Sequence, residues 1–319
     1  MAKKLHLTLA CGDYEIMRPL IEGTVEPDGI ELTVLTNMNA EVRHRRMLSG
    51  RKFDVAEVSM SNYPVAKLRN LPFVAIPVFP HRRFRHGFVF INARKGIEKP
   101  TDLIGKKVGL RHFQATSNLW VRGILEHEYG VPHKKIHWFR QSRETGEEAN
   151  LPKDLMLETL PAGKNVETML VEGELDAVLD PELIKPILDK DPRVKRLFEN
   201  YKELEVEYYK RTGIFPIMHT TVIKEEIVER YPWVPMSLME AFNRAKAMAY
   251  KRMENPRIVP LAWFRHAMEE QEEIFNKDPW PYGLGEANRK NVAALMQYAY
   301  EQGVMEKKVG VDELFVDTR

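Results

Sequence analysis

Residues 5–21 read Leu5-His6-Leu7-Thr8-Leu9-Ala10-Cys11, then Gly12-Asp13-Tyr14-Glu15-Ile16-Met17-Arg18-Pro19-Leu20-Ile21, and this passage decides the fold class. Apolar and polar side chains alternate up to Cys11, which predicts a β-strand. Asp13 then predicts a helix start, with the helix over Tyr14–Ile21. The same unit repeats downstream. Strands are predicted at Ile30–Leu35, Phe53–Val58, Phe73–Val78, Gly87–Asn92 and Lys107–Leu110. Helices are predicted at Asn39–Ser49 closed by Gly50, Ser61–Leu68, and Ser117–Glu128 closed by Gly130. Strands separated by single helices imply right-handed βαβ units and a mostly parallel sheet, so the chain is expected to be α/β.

Beyond Gly130 the pattern loosens. Pro132–Asn150 is rich in His, Arg and Glu and predicts one short strand, Ile136–Phe139, followed by an exposed loop. Asn165–Glu172 reads as a helix ended by Gly173, Asp176–Asp180 as a strand stopped by Pro181, and Phe215–Ile223 as a further strand. From Val234 the chain reads as helix: Val234–Glu254, Leu261–Asn276 and Glu286–Gln302. In the first of these, Leu238, Ala241, Phe242, Ala245, Met248 and Ala249 fall on one expected core face.

The chain has 319 residues, 44% of them apolar and 29% charged, with 48 Lys and Arg against 46 Asp and Glu. That excludes a disordered chain or a rod, and a net charge of +2 is too balanced for a dedicated nucleic-acid binder. Cys11, the single cysteine, excludes an internal disulfide framework. His6 and Thr8 interrupt the first apolar run, and no stretch reaches the ~20 apolar residues of a membrane span. A soluble, cytoplasmic protein is expected.

Five polar constellations stand at strand–helix junctions or in loops. Asp13 with Arg18 follows the first strand, where open α/β sheets bind ligands; the plainer reading is a helix cap with a surface ion pair. Glu57, Ser59 and Ser61 occupy the same place after another strand, Ser61 also suiting a plain cap. His81-Arg82-Arg83-Phe84-Arg85-His86 is the densest positive stretch, a pocket for a small anion or a solvated loop. Its two histidines lack the four-residue spacing that would place both on one helix face as metal ligands. Arg111, His112, Thr116 and Ser117 join a strand to a helix in the manner of an anion seat, with the two hydroxyl residues as simple caps in the competing view. Finally, Arg211-Thr212-Gly213 leads into an apolar run ending at His219, a position as fit for a core histidine as for a catalyst.

Taken in order, these segments resemble the 4,5-dihydroxyphthalate decarboxylase family. The matching stretches include Leu7–Tyr14, Glu26-Pro27-Asp28-Gly29-Ile30, Phe53–Ser59, Pro77-Val78-Phe79-Pro80 with Arg83-Phe84-Arg85-His86, and Trp120-Val121-Arg122-Gly123. They continue with Glu128-Tyr129-Gly130-Val131, Gly173–Ala177, Arg211–His219 and Pro279-Trp280-Pro281-Tyr282-Gly283, and so span almost the whole chain. The resemblance implies a two-lobed type 2 periplasmic-binding-protein-like fold with the ligand cleft between lobes and a helical C-terminal region. Residues 1–93 and 217–319 would form lobe 1 and 94–216 an inserted lobe 2. One departure is the basic pair Arg111-His112, where the family more often carries Pro and Glu.

The implied reaction is loss of carbon dioxide from a dihydroxylated aromatic dicarboxylate, giving protocatechuate. Protonating the ring first avoids an aryl carbanion, and it needs an acid, an acceptor at a phenol and cations for the carboxylates. Arg83, Arg85, Arg111 and Arg211 supply cations, with Thr116 and Ser117 as neutral donors. His219, His86 and His112 are the candidate acids, and Glu57 or Asp13 the acceptor. No Gly-x-Gly-x-x-Gly fingerprint or Schiff-base lysine is present, so no organic cofactor is expected. A divalent metal at the histidines has little support from their spacing. The competing class is a solute-binding protein for a small carboxylate, without chemistry. In both, the partner is a small carboxylate rather than nucleic acid or membrane, and homo-oligomer formation stays open.

Overall fold

The computed structural model describes residues 3–143 and 148–318; residues 144–147, part of the loop expected within Pro132–Asn150, lie outside the described residues. The chain divides into two compact units. One is Met1–Arg82 with Ile217–Val292 and Val309–Arg319, and the other is Arg83–Pro216 with Ala293–Lys308. The expected boundary at residue 93 is therefore too late, and the second unit also takes back 293–308. Packing explains the latter. The Tyr298 ring lies so close to Gly123 that a Cβ there would meet it at 2.2 Å, and Gln302 accepts from Arg122 (2.7 Å) and donates to the Leu119 carbonyl (3.0 Å).

In the first unit β1 (Leu5–Ala10), β2 (Ile30–Leu35), β3 (Val55–Ser59) and β4 (Phe73–Ile76) form a sheet completed much later in the chain. β1 pairs in parallel with both β2 and β3. Leu7 and Leu9 of β1 and Ile30 of β2 pack into a core with Leu238, Ala241, Phe242 and Ala245 from helix Val234–Met253. Met248, expected on that face, is 41% exposed. At 100° per residue it falls past the edge of the apolar stripe.

The second unit carries β5 (Val89–Asn92), β6 (Lys107–Leu110), β7 (His137–Arg140), β8 (Leu157–Thr159), β9 (Ala177–Leu179) and β10 (Val194–Arg196), in the order β10-β5-β9-β6-β7-β8. β6 pairs in parallel with β7 and β9, and β7 with β8, whereas β5 is antiparallel to both neighbours. Helix Thr116–Tyr129 ends at Gly130, whose φ of 65° is the left-handed conformation that glycine adopts without strain. A helix over Tyr201–Thr212, built from strong helix formers, precedes the turn at Gly213, where only the turn was expected.

The last strand, β11 (His219–Lys224), returns to the first unit and inserts antiparallel between β3 and β4, giving the order β2-β1-β3-β11-β4. Both sheets are thus mixed, not mostly parallel. β11 starts four residues later than predicted, since the strand was expected from Phe215 and begins at His219. In its register His219 faces Ser59 and Thr221 faces Glu57. Glu57 and His219 are therefore diagonal neighbours on one face of the sheet, a distance that long side chains bridge. Among the described residues, no helix is long and apolar enough to cross a membrane.

Candidate functional site

That diagonal pair is the centre of a polar cluster in the first unit. Glu57 is fully buried on β3, where a charge survives only if it is paired and hydrogen-bonded. Four donors meet it: the Gly12 amide (2.6 Å), the Tyr14 hydroxyl (2.7 Å), the Arg43 guanidinium (2.9 Å) and Nδ1 of His219. Burial alone would raise the Glu57 pKa. The His219 charge and hydrogen bond, Arg43 and Tyr14 outweigh it and hold the carboxyl well below the usual range.

Each donor is placed by local structure. Gly12 leaves the end of β1 so close to the Tyr14 ring that a Cβ would lie 2.4 Å from it. Arg43 and His44 sit on helix Ala40–Leu48, whose start is capped by Asn39 accepting from the Val42 amide (2.9 Å). That helix buries Arg43 and His44 on the same side as Met47 and Leu48, one turn further on. The His44 ring stands edge-on to His219 at 4.7 Å between centroids, and its Nε2 is buried without a hydrogen-bond partner. Burial, then the neighbouring His219 and Arg43, keep its pKa well below the ordinary histidine value, so His44 is neutral.

His81, in the loop after β4, meets His219 edge-on at 4.9 Å and stacks on Tyr14 at 5.8 Å. Ser59 and Ser61 hydroxyls are 2.9 Å apart at the end of β3. Arg43, His44 and Glu57 are buried, whereas Tyr14, His81 and His219 keep partial exposure. The arrangement can exchange protons. Glu57 fixes His219 through Nδ1 and so leaves Nε2 as the nitrogen that gives or takes a proton. Glu57 itself has no exposed surface, so its carboxylate faces His219 and Tyr14 and is not open to a phenol as expected. Cys11 below it is buried; desolvation and then the Glu57 charge push its thiol up to about 12, which makes it a packing residue and not a nucleophile.

The other expected residues lie elsewhere. Asp13 does not cap the first helical turn; it pairs with Arg18 at 2.6 Å on the surface of the first unit. In the second unit, three arginines gather on one segment. Arg111 binds Asp180 (2.7 Å), Arg85 donates to the Pro181 carbonyl (3.0 Å) and Arg83 binds Glu182 (2.9 Å). Burial, then Arg83, lower Arg85 to about 9. Each of these expected carboxylate clamps already has a protein partner. Thr116 and Ser117 are buried in the first turn of helix Thr116–Tyr129, whose cap position is Ala115. His112 lies against the Arg143 carbonyl (3.1 Å), and Arg211 is paired with Glu128. His86 is enclosed by Phe198, Tyr208 and Tyr129, and burial lowers its pKa to about 4, so at neutral pH it has no proton to give. Trp120 is wholly buried against Tyr298 and has no face open to a ligand.

Sequence reasoning missed Arg43 and His44, read His81 only as part of the basic stretch at 81–86, and passed over Tyr14 in favour of Asp13. One signal was present: Arg43 and His44 stand four residues before Met47 and Leu48, so the helical period already put them on the buried side.

Fold and cluster together define a binding-protein-like α/β scaffold that carries a buried, donor-saturated carboxylate beside a partly exposed histidine. Solved structures with this fold include the periplasmic aliphatic sulphonate binding protein SsuA from Escherichia coli (TM-score 0.58, 14% identity, 98% of this chain and 92% of that chain). The alkanesulfonate-binding protein SsuA from Xanthomonas axonopodis pv. citri is comparable (TM-score 0.56, 13% identity, 99% of each chain), as is the desulfurization enzyme DSZB (TM-score 0.52, 12% identity, 98% of this chain and 96% of that chain). They establish the type 2 periplasmic-binding-protein-like fold. No protein-family model matches the chain. The chain is 34% identical over 320 residues to 4,5-dihydroxyphthalate decarboxylase of Comamonas testosteroni, covering 98% of this chain and 96% of the relative. A Pseudomonas putida protein of the same name is 34% identical over 213 residues, 65% of this chain and 82% of the relative. The chain belongs to the 4,5-dihydroxyphthalate decarboxylase family.

Proposed function

We propose that the chain is a non-oxidative decarboxylase of a dihydroxylated aromatic dicarboxylate such as 4,5-dihydroxyphthalate, releasing carbon dioxide and protocatechuate. The observation that carries this reading is the buried Arg43–Glu57–His219 array, which orients one imidazole and leaves its second nitrogen for proton transfer. A receptor gains nothing from a buried, fully donor-saturated carboxylate behind a partly exposed histidine, whereas an acid catalyst needs one.

In this mechanism His219 delivers a proton from Nε2 to the ring carbon bearing the departing carboxylate. Glu57 stabilises the imidazolium, and Arg43 keeps Glu57 ionised. Electron release from the hydroxyl para to that carbon carries the charge, so no aryl carbanion forms. The carbon–carbon bond then breaks, its electron pair restores the aromatic ring, and carbon dioxide leaves. A cytoplasmic location goes with this catalytic reading.

Adding 4,5-dihydroxyphthalate to the purified protein and following protocatechuate by NMR tests it. Turnover that falls by ~10²–10⁴-fold in His219→Ala supports the mechanism. Binding without turnover, with or without added divalent metal, overturns it in favour of a carboxylate receptor.

A further inference from the structure

Ring protonation leaves one proton unassigned. As the ring carbon gains a proton, the para hydroxyl must lose one, and Glu57 is too deeply buried to take it. Of the three partly exposed members of the cluster, the Tyr14 hydroxyl donates to Glu57 and His219 works on the ring carbon. We infer that His81 is the second catalytic residue, the base that takes the proton from the substrate hydroxyl, an inference that rests on the decarboxylase reading above. Its imidazole lies edge-on to His219 at 4.9 Å, so the two rings present separate nitrogens to a single aromatic ligand.

Backbone and ring contacts hold His81 in place. Its carbonyl accepts from the Met218 amide (2.9 Å), next to His219, and Tyr14 covers one face of its ring. The following residue, Arg82, is 4% exposed and donates to the Pro281 carbonyl (3.1 Å) and to Asn288. Pro281 belongs to the Pro279–Gly283 motif. That loop is fastened in turn by Lys246 to the Trp280 carbonyl (2.6 Å) and by the Gly283 amide to the Pro77 carbonyl (2.8 Å). The motif thus fastens Arg82 and, through it, the chain next to His81.

The steps balance. The imidazolium of His219 gives its proton to the ring carbon while the para hydroxyl gives its own to the His81 imidazole, leaving a dienone that still carries the carboxylate. Scission of the carbon–carbon bond returns its electron pair to the ring and yields carbon dioxide and a phenolate. His81 returns its proton to the phenolate, and His219 regains one from water, so one proton is consumed per turnover.

The test is the pH dependence of kcat/KM for 4,5-dihydroxyphthalate in the wild type, His81→Gln and His81→Gly. At neutral pH His81→Gln should lose ~10²–10⁴-fold. That loss should shrink as pH rises, because a substrate already ionised at the phenol needs no base, and added imidazole should restore His81→Gly. A loss that is equal at every pH and is not rescued by imidazole, or a loss below about threefold, overturns the assignment. Wild-type protein that releases no carbon dioxide overturns the decarboxylase reading itself; active wild type with a pH-independent defect in both variants overturns His81 alone.

Discussion

Replacing Glu57 by Gln keeps the shape of the side chain and removes its charge. Both partners of the Arg43–Glu57 pair are nearly inaccessible, with side-chain exposures of 2% and 1%. The glutamine amide would aim its NH₂ group at donors that now converge on two oxygens, and Arg43 would be left as an uncompensated buried cation. Breaking a buried pair from one side costs about 3–5 kcal/mol, whereas removing both charges together is often near neutral. The double variant Arg43→Met/Glu57→Gln should therefore be more stable than the sum of the singles predicts, by more than about 2 kcal/mol. Urea denaturation of the wild type, both singles and the double measures that coupling, and 0.5 M salt should leave it unchanged because the pair is dry. Folded Glu57→Gln should also lose ~10²–10⁴-fold in turnover, since His219 loses the partner that orients it. The sign of the pH effect follows from the lowered Glu57 pKa: its stabilisation is complete above the usual carboxylate range near ~4.3 and is lost as pH falls further. Wild type and Glu57→Gln should thus converge in stability in acid. A single substitution costing under about 1 kcal/mol, with no coupling to Arg43, would refute the buried-pair argument.

Three further outcomes follow from the same geometry. Folded His44 stays neutral while the unfolded chain binds a proton below ~6.5, so stability falls as pH drops; His44→Phe should gain on the wild type by up to ~1.4 kcal/mol per pH unit between pH 6.5 and 5, and a constant difference in denaturation experiments would contradict it. Glu205 is raised to about 7 by burial, against hydrogen bonds from the Gly87 and His86 amides, so its cost grows as pH rises from ~4.5 through 7. Glu205→Gln, which still accepts from Gly87, should be about 2–3 kcal/mol more stable than wild type at pH 8 and no more stable below about pH 4. Gly12→Ala should push the Tyr14 ring off Glu57 and lower turnover ~10²-fold while melting close to wild type; unchanged kinetics would mean that Tyr14 does not help to set the site.

Much of the scaffold was legible because strand alternation, glycine stops and proline breaks are local signals. Asn39, Gly130 and Gly173 sit at or beside the helix ends where the sequence put them. The mixed sheets were not legible, since the direction of β11 depends on how the chain returns after some 130 residues and not on its own residues. Of the cluster, Glu57 and His219 stood out as polar residues in apolar strands. Arg43 and His44 lie in a helix that the sequence marked only by its ends, and they stand beside the exposed Arg45 and Arg46. The arginines misled for the opposite reason. Arg83, Arg85 and Arg111 look like open anion sites until the fold brings Asp180 and Glu182 beneath them, and nothing local announces that meeting.

The place of β11 sets a timetable for making this protein. Glu57 leaves the ribosome 162 residues before His219, roughly 8–30 s at typical synthesis rates. Throughout that interval β3 and β4 lack the strand that separates them, and their facing edges carry unpaired amides and carbonyls. The buried Glu57 also waits for one of its four donors. The second unit has every strand of its own sheet before the first can close its sheet, so the first-made part of the chain is the last to mature. A cell that stalls translation between Ile76 and His219 would hold a chain with an open sheet and a buried carboxylate short of one donor, and that interval is where a chaperone would be needed.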